Sequence, residues 1–450
     1  MPSRKPLPDP AAGALDPVRA ALTRFLRDHP GLHTLRIAFS GGRDSTVLLH
    51  AAADLGLPGL EAMHVDHALR ADSEAQAAHC RQVAAALGVP FRSCRLPPLE
   101  VAADGVEAAA RAARYQRLRE GLDGDGVILT AQHADDQAET FLLAALRGSG
   151  PEGLKAMAPL RREGQTWLGR PLLAVSAAEV AEAAEAMGLA WYDDPSNTDT
   201  RYDRNFLRHE VMPLLRGRFA VPHGLCRAAG WQRETAEHLE RYFGARLEAV
   251  QADDPRTLSR RRLLQLADPE RRGVLRLWLR RLGRRPPGRE RLEEFLRQLT
   301  AAGEAATPRL EWPEGVVRVY RDRIDAGGSA PPQPPASQPW PVDQDQLRLA
   351  TGARLSRSRL PGLGIAADTE LEVVYRRGGE VVRTAAGRRP LKKLMQERGI
   401  PPWQRDRIPL LRRPGGEILA VLWDAAPDPD GAGSGGLRAG GMPPADGGES

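Results

Sequence analysis

Between residues 18 and 150 the period of the apolar positions changes again and again. Short apolar runs at 35–39, 60–64, 91–96 and 126–133 are each followed by a stretch in which apolar residues recur every three or four positions. The runs predict buried strands. The stretches predict amphipathic helices over 71–88 and 105–122, and others starting near Ser45 and near Asp136. Strands alternating with helices predict an α/β fold with a doubly wound, mainly parallel, Rossmann-like sheet. Ligands of such sheets bind beyond the carboxyl ends of the strands. Here the four runs lead into Ser-Gly-Gly, His-Val-Asp-His, Cys-Arg-Leu-Pro-Pro and Thr-Ala-Gln-His-Ala-Asp-Asp, so polar groups collect on that edge.

The pattern divides the rest of the chain. Residues 1–17, rich in Pro and Ala, predict a flexible lead to a first domain over 18–215. Arg, Leu and Glu at helical spacing over 216–326 predict a small, mostly helical domain. A Pro-rich linker is expected over 327–345, because such a segment buries little apolar surface. Strands in "LEVVYRR" and "EILAVLW" predict a small α+β domain over 346–423, and the Gly- and Pro-rich residues 424–450 predict a disordered tail. No internal repeat is visible.

Composition narrows the picture. A chain of 450 residues exceeds one ordinary core. Mean hydropathy is −0.42, and the absence of a long apolar run predicts no membrane span. The first residues lack the apolar core of a secretory signal. Cysteine occurs only at 80, 94 and 226, without paired spacing, which argues against a disulfide framework or zinc site and predicts a reduced, cytoplasmic setting. The net charge of +6 is unevenly spread: residues 371–411 hold eight arginines and two lysines against four acids. That density suits a polyanion, although a solvated basic face reads the same on charge alone.

The loop after the first run, "RIAFSGGRDSTVLLH" (36–50), carries chemistry. Gly41-Gly42 permits a tight turn and close approach of a ligand, and a helix starting there directs unpaired N–H groups at it. The spacing and lysine of a Walker A loop are missing. Asp44 lies inside this anion-binding turn, where a carboxylate repels phosphate unless a divalent cation intervenes. The arrangement predicts a Mg2+-bound pyrophosphate group.

The loop is similar to the PP-loop of the N-type ATP pyrophosphatases. In order along the chain follow "MHVDHALR" (63–70), "EAAARAARY" (107–115), "TAQHADDQAET" (130–140), "RGSGPEGL" (147–154), "RPLL" (170–173) and "DDPSNTDTRYDRNFLRHEVMP" (193–213). Together they resemble the tRNA(Ile)-lysidine synthetase family, and "RPLKKLMQERGIPPWQRDRIPLL" (389–411) resembles the terminal domain of its longer members. The likeness runs from about residue 34 to 423. It implies that ATP adenylates the C2 oxygen of a cytidine in the CAU anticodon of an isoleucine tRNA, and that free L-lysine then displaces AMP. A homodimer is also implied, though no residue pattern marks one.

The resemblance, with the chemistry of the side chains, assigns expectations. Ser40, Gly41, Gly42 and Ser45 cradle the phosphates, Arg43 lies in the same loop, and Asp44 holds Mg2+. Asp135, Asp136 and Glu139 bind the lysine ammonium or a second metal position, unless they only cap a helix. His133 takes a proton from the attacking amine; many members of the family have His-His where this chain has Gln132-His133. At least one of His64, Asp66 and His67 reads as structural. Arg111 and Arg114, at i and i+3, suit phosphate or the adenylated intermediate, or else a surface salt-bridge face. Arg201, Arg204 and Arg208 suit RNA phosphates near the site. Lys392, Lys393 and Arg405 suit the acceptor stem, and Trp403 reads as a core residue.

Three rivals remain. A tRNA thiolase would need sulfur-carrying cysteines, usually Cys-x-x-Cys, which this chain lacks. The GMP, asparagine and NAD synthetases share the loop, but no amidotransferase part is visible here. A non-catalytic RNA-binding descendant is opposed by the presence of Asp44, His133, Asp135 and Asp136 together.

Overall fold

Leu35 and Ile37 join one buried cluster, while Arg36 and Ala38 face the opposite side of the same strand. This two-residue period runs through β1 (Thr34–Ala38), β2 (Leu60–Asp66), β3 (Phe91–Arg95) and β4 (Gly126–Leu129). Helices cover both faces, so these strands read as nearly continuous apolar runs. The computed structural model describes residues 13–66, 73–97, 106–192, 198–303, 306–328, 335–349, 353–384 and 387–423, without the side chains of 106–110 and 362. They fall into two compact units that divide between His238 and Leu239.

In the first unit the sheet order is β3-β2-β1-β4-β6-β5, with β5 (Leu160–Glu163) and β6 (Thr166–Gly169) forming a hairpin. All neighbours are parallel except that hairpin. Helices α1 (Asp16–Asp28), α2 (Arg43–Asp54), α3 (Ser73–Ala86) and α6 (Ala177–Ala186) pack on one face. Helix α4 (Val106–Arg119) covers the other, and α5 (Ala134–Leu146) follows β4. Strand order reverses between β1 and β4, so the crevice expected to hold a ligand opens between the loops that leave these two strands.

The mainly parallel sheet agrees with the sequence reading, with three adjustments. The β5–β6 hairpin extends the expected four strands, turning at Gly164 with φ +65°; both strands are short, and two arginines in β5 conceal its alternation. The fourth strand ends at Leu129 rather than His133, and α5 begins two residues early, at Ala134. Part of the expected flexible lead is ordered: Leu15 is buried in the core just before α1.

The second unit holds two larger sheets. Antiparallel strands β7 (Thr257–Ser259), β8 (Arg309–Trp312), β9 (Gly315–Tyr320) and β10 (Arg323–Gly327) form the first, in the order β7-β10-β9-β8. They share a core with α8 (Asp268–Arg281) and α9 (Arg289–Ala301), built around Trp278, Phe295 and Trp312. The segment read as mostly helical thus also carries a four-stranded sheet. The second sheet runs β11-β14-β17-β18-β15-β16. Its first strand, β11 (Gln338–Trp340), lies within the expected linker and buries Trp340. The others are β14 (Leu371–Tyr375), β15 (Val381–Thr384), β16 (Gly387–Pro390), β17 (Pro409–Arg412) and β18 (Ile418–Val421). The predicted tail lies outside the described residues. Among those residues, no helix is long and apolar enough to cross a membrane.

Arginine does interior work in both units. Buried Arg36 donates to the carbonyls of Leu118 and Glu120, each at 2.7 Å, where α4 ends, and pairs with Glu61. Arg260 donates to the carbonyls of Leu299, Ala302 and Gly303 at the end of α9. Arg357 donates to those of Trp340, Pro341, Gln344, Ala367 and Thr369. Helix ends leave carbonyls unpaired, and a guanidinium satisfies several at once. Replacing Arg36 with Met leaves those carbonyls and Glu61 without their donor. The expected loss is about 3 kcal/mol, read from the midpoint of urea unfolding.

Candidate active site

Two helix N-termini meet at the crevice. The first follows β1: Gly41 turns the chain at φ +80°, and Gly42, the N-cap of α2, offers no side chain to the first-turn amides. Those amides are left to a ligand. A Cβ on Gly41 would lie 2.8 Å from the Cys80 sulfur, so both conformation and space demand glycine. Gly42 has an ordinary φ of −73°, and a Cβ there would make only ordinary contacts, 3.4 Å from Ser40 Oγ and 3.8 Å from the Tyr192 carbonyl oxygen. The Ser40 and Ser45 hydroxyls sit 3.0 Å apart, and Ser40 Oγ accepts from the Gly42 amide. Two groups not foreseen in the sequence fix the loop from outside. Gln76 Nε2 donates to the Ser40 carbonyl at 2.8 Å, and the Tyr192 amide donates to the Gly41 carbonyl at 2.9 Å.

The second N-terminus follows β4. His133 is the N-cap of α5 and forms a reciprocal capping box with Asp136. Asp136 Oδ2 accepts from the His133 amide at 3.0 Å, and His133 Nδ1 accepts from the Asp136 amide at 3.4 Å. In the neutral ring the proton therefore sits on Nε2, which faces Asp44 Oδ2 at 3.6 Å across the crevice. A second proton would enter at Nδ1, beside the carboxylates of Asp136 (3.5 Å) and Asp135 (3.8 Å).

Burial works against charge on both partners, and their neighbours outweigh it. For His133, burial would lower the pKa, but Asp44, Asp136 and Asp135 hold it above the ordinary histidine value. For Asp44, burial would raise the carboxyl, but His133 and Arg43 hold it below the ordinary range. Arg43 Nε pairs with Asp44 Oδ1 at 3.1 Å, and about a third of each of these two side chains stays accessible.

The remaining acids are committed to arginines. Glu139, 1% exposed, receives Arg204 Nε at 2.9 Å and Arg208 Nε at 2.7 Å, and both arginines also donate to Asp136 Oδ1. Arg204 lies on the helical turn Asp203–Phe206 and Arg208 on the π-helical stretch Leu207–Val211 that follows it. Asp135 receives Arg216, unforeseen in the sequence, and the Ala177 amide at the start of α6 at 2.7 Å. The structure thus brings Asp135, Asp136, Glu139, Arg204 and Arg208 together, but as mutual partners rather than as groups open to a ligand.

Arg111 and Arg114 lie on α4, with Arg111 over the Tyr115 ring at 5.1 Å from its centroid. His64 is buried, and its Nδ1 is 3.0 Å from the Phe39 carbonyl, which reads as a structural histidine supporting the loop. His67 lies outside the described residues. In the second unit Lys392 and Lys393 are exposed on the helix Leu391–Glu397. Arg405 is not available as expected: it is buried, and it donates to the Ile400 carbonyl and the Tyr320 hydroxyl. Trp403 is only partly buried, edge-on to Tyr320. Among the described residues, no group of three or more His, Cys, Asp and Glu side chains is placed to hold a metal ion. A cation at Asp44 must take most of its ligands from phosphate and water, as Mg2+ commonly does.

Three family models match the chain: a PP-loop domain over residues 15–215, a TilS substrate binding domain over 258–324 and a TilS substrate C-terminal domain over 371–423. The chain is 44% identical to the tRNA(Ile)-lysidine synthase of Alkalilimnicola ehrlichii, covering 86% of this chain and 88% of that protein. It is 39% identical to the enzyme of the same name from Methylococcus capsulatus, over 88% and 92% of the two chains. The likeness to the Chromobacterium violaceum enzyme is also 39%, over 87% and 91%.

Two outcomes follow from this geometry. Gly41→Ala lowers stability by about 2 kcal/mol and Gly42→Ala by clearly less; equal denaturation midpoints would remove the steric argument. The second concerns pH. His133 binds its proton more tightly folded than unfolded, so the stabilisation is complete below the unfolded value of about 6.5. It fades as pH rises through the higher folded value. Melting curves without nucleotide or divalent cation should therefore show wild type losing its advantage over His133→Asn as pH rises across that window.

Proposed function

The chain belongs to the tRNA(Ile)-lysidine synthase family, and from that premise we propose how its own residues form lysidine in tRNA. It is an ATP-using ligase. In the proposed reaction the C2 oxygen of the CAU anticodon cytidine attacks the α-phosphorus of ATP. An O–P bond forms, and the bond to pyrophosphate breaks. The ε-amine of free L-lysine then attacks C2, a C–N bond forms, and AMP leaves with the former base oxygen. The amine gives up a proton on the way.

The observation that carries this reading is the meeting of Asp44 and His133 across the crevice, 3.6 Å apart. Phosphates bound at the start of α2 would receive its free amides and the Ser40 and Ser45 hydroxyls. Asp44 would share Mg2+ with phosphate oxygens, and the ion supplies charge neutralisation for pyrophosphate departure. His133, across the crevice from Asp44, would face the bound substrate.

His133 would then accept the proton of the attacking amine at Nε2 from the tautomer whose own proton sits on Nδ1, beside the carboxylates of Asp136 and Asp135. Exchange of the Asp136 amide at Nδ1 for the Asp136 carboxylate would move the ring proton to Nδ1 and leave the Nε2 lone pair toward the crevice. Asp136 thus acts through His133. Asp135 and Glu139 are read as positioning residues, since their oxygens are already taken by Arg216, the Ala177 amide, Arg204 and Arg208. Lysine would meet this cluster only by displacing a guanidinium or by using the carboxylate edges left over. In the second unit, exposed Lys392 and Lys393 suit RNA phosphates.

The test is transfer of labelled lysine to an isoleucine tRNA transcript with a CAU anticodon, given ATP and Mg2+. Label that survives mild alkali and disappears when the anticodon cytidine is replaced is expected; absence of such label with intact tRNA binding would overturn the reading. Asp44→Asn should lower tRNA-dependent pyrophosphate release on the order of a hundredfold. Release at the wild-type rate would remove Asp44 from phosphate activation.

A further inference from the structure

Arg170 directly follows β6 and is only 4% exposed. Its Nε donates to Gln132 Oε1 at 2.6 Å and its Nη1 to the Ala158 carbonyl at 2.8 Å. Among the described residues no carboxylate hydrogen-bonds or ion-pairs with it. Besides burial, Arg161 and Arg111 oppose its charge, and Tyr115 and Glu163, the latter itself paired with Arg161, only partly offset them. A buried guanidinium with neutral partners and cationic neighbours is a costly arrangement. It makes physical sense where an anion arrives.

Gln132 shows where that anion would bind. A guanidinium has no acceptor, so the amide atom facing Arg170 must be the oxygen. Thr130 Oγ1 donates to the same oxygen at 3.2 Å. The amide is therefore fixed, with its NH2 turned away from Arg170, and Gln132 is only partly buried. His133 faces the loop after β1, while its neighbour Gln132 faces the residue after β6. Two donor sets thus flank the end of β4.

We propose that Gln132 and Arg111, backed by Arg170, form a second phosphate site at the carboxyl edge of the sheet, which takes a phosphodiester of the bound RNA. The inference rests on the tRNA reading above. Gln132 Nε2 and the accessible Arg111 touch the phosphate; Arg170 is a positioning residue that orients the amide and contributes its field. The Gly41 loop keeps the phosphates of ATP, and the end of β4 lies between the two sites.

The experiment uses the full chain and the Gln132→Glu variant. Glutamate at 132 gives Arg170 a carboxylate partner, so the melting temperature should hold or rise, while the outward donor is lost and a negative charge appears. Binding of the CAU isoleucine tRNA transcript should weaken about tenfold at low salt. The slope of log affinity against log salt should flatten by about 0.7, one single-strand phosphate contact, while ATP affinity stays within about twofold. Gln132→Ala, which adds no charge, should lose less in the same direction. Unchanged RNA affinity and salt slope would overturn the site. Lost ATP affinity with RNA binding intact would assign the phosphate to the nucleotide and overturn the RNA assignment. Lysine transfer by the wild type is read on the same preparation. Its absence would remove the functional reading, whereas an active wild type with an indifferent Gln132→Glu would remove only this site.

Discussion

Three carboxylates, Asp44, Asp135 and Asp136, surround one imidazole at the point where the strand order reverses. Their mutual repulsion is the constraint that the surrounding structure answers. Two helix N-termini supply partial positive charge from α2 and α5. The start of α6 lends an amide to Asp135, and Arg204, Arg208 and Arg216 close in from the segment after α6. The acids are thus neutralised from several elements at once, which ties those elements together around His133. A cluster held in this way keeps its shape because moving any one partner weakens the pairing of a buried charge.

The same arrangement separates the groups that hold from the groups that act. Glu139 and Asp135 are saturated with donors, whereas Asp44 and Arg43 keep part of their surface open. In the proposed reaction, the residue that meets phosphate or a cation is one the scaffold leaves partly open. The position of Asp44, at the first turn of a helix whose N-cap is a glycine, gives it freedom that the acids of α5 lack.

Much of this was legible in the chain. The Gly41-Gly42 turn, the alternation of strands and helices, and the polar ends of the strands gave the parallel sheet and the edge on which the site lies. The Asp136–Glu139 and Arg204–Arg208 spacings each mark one helical face, but nothing in either says that the two faces meet, since the contact is made across more than sixty residues of chain. The β5–β6 hairpin escaped because its strands are four residues long and three of the four residues of β5 are charged. Arg405 was misjudged for a related reason: charge counts treat every arginine as surface, and this one is spent on a carbonyl and a tyrosine hydroxyl. The link from Arg170 to Gln132 is likewise a matter of side-chain direction, which no spacing encodes.

The interior arginines have one more consequence. Arg36, Arg260 and Arg357 clamp carbonyl groups that would otherwise be left bare, in a chain with only four lysines. A guanidinium spreads five N–H donors in a planar fork, whereas an ammonium is a compact point of charge. A lysine at any of these three positions could not reach all the carbonyls that the arginine holds, so each clamp is restricted to arginine by geometry rather than by charge.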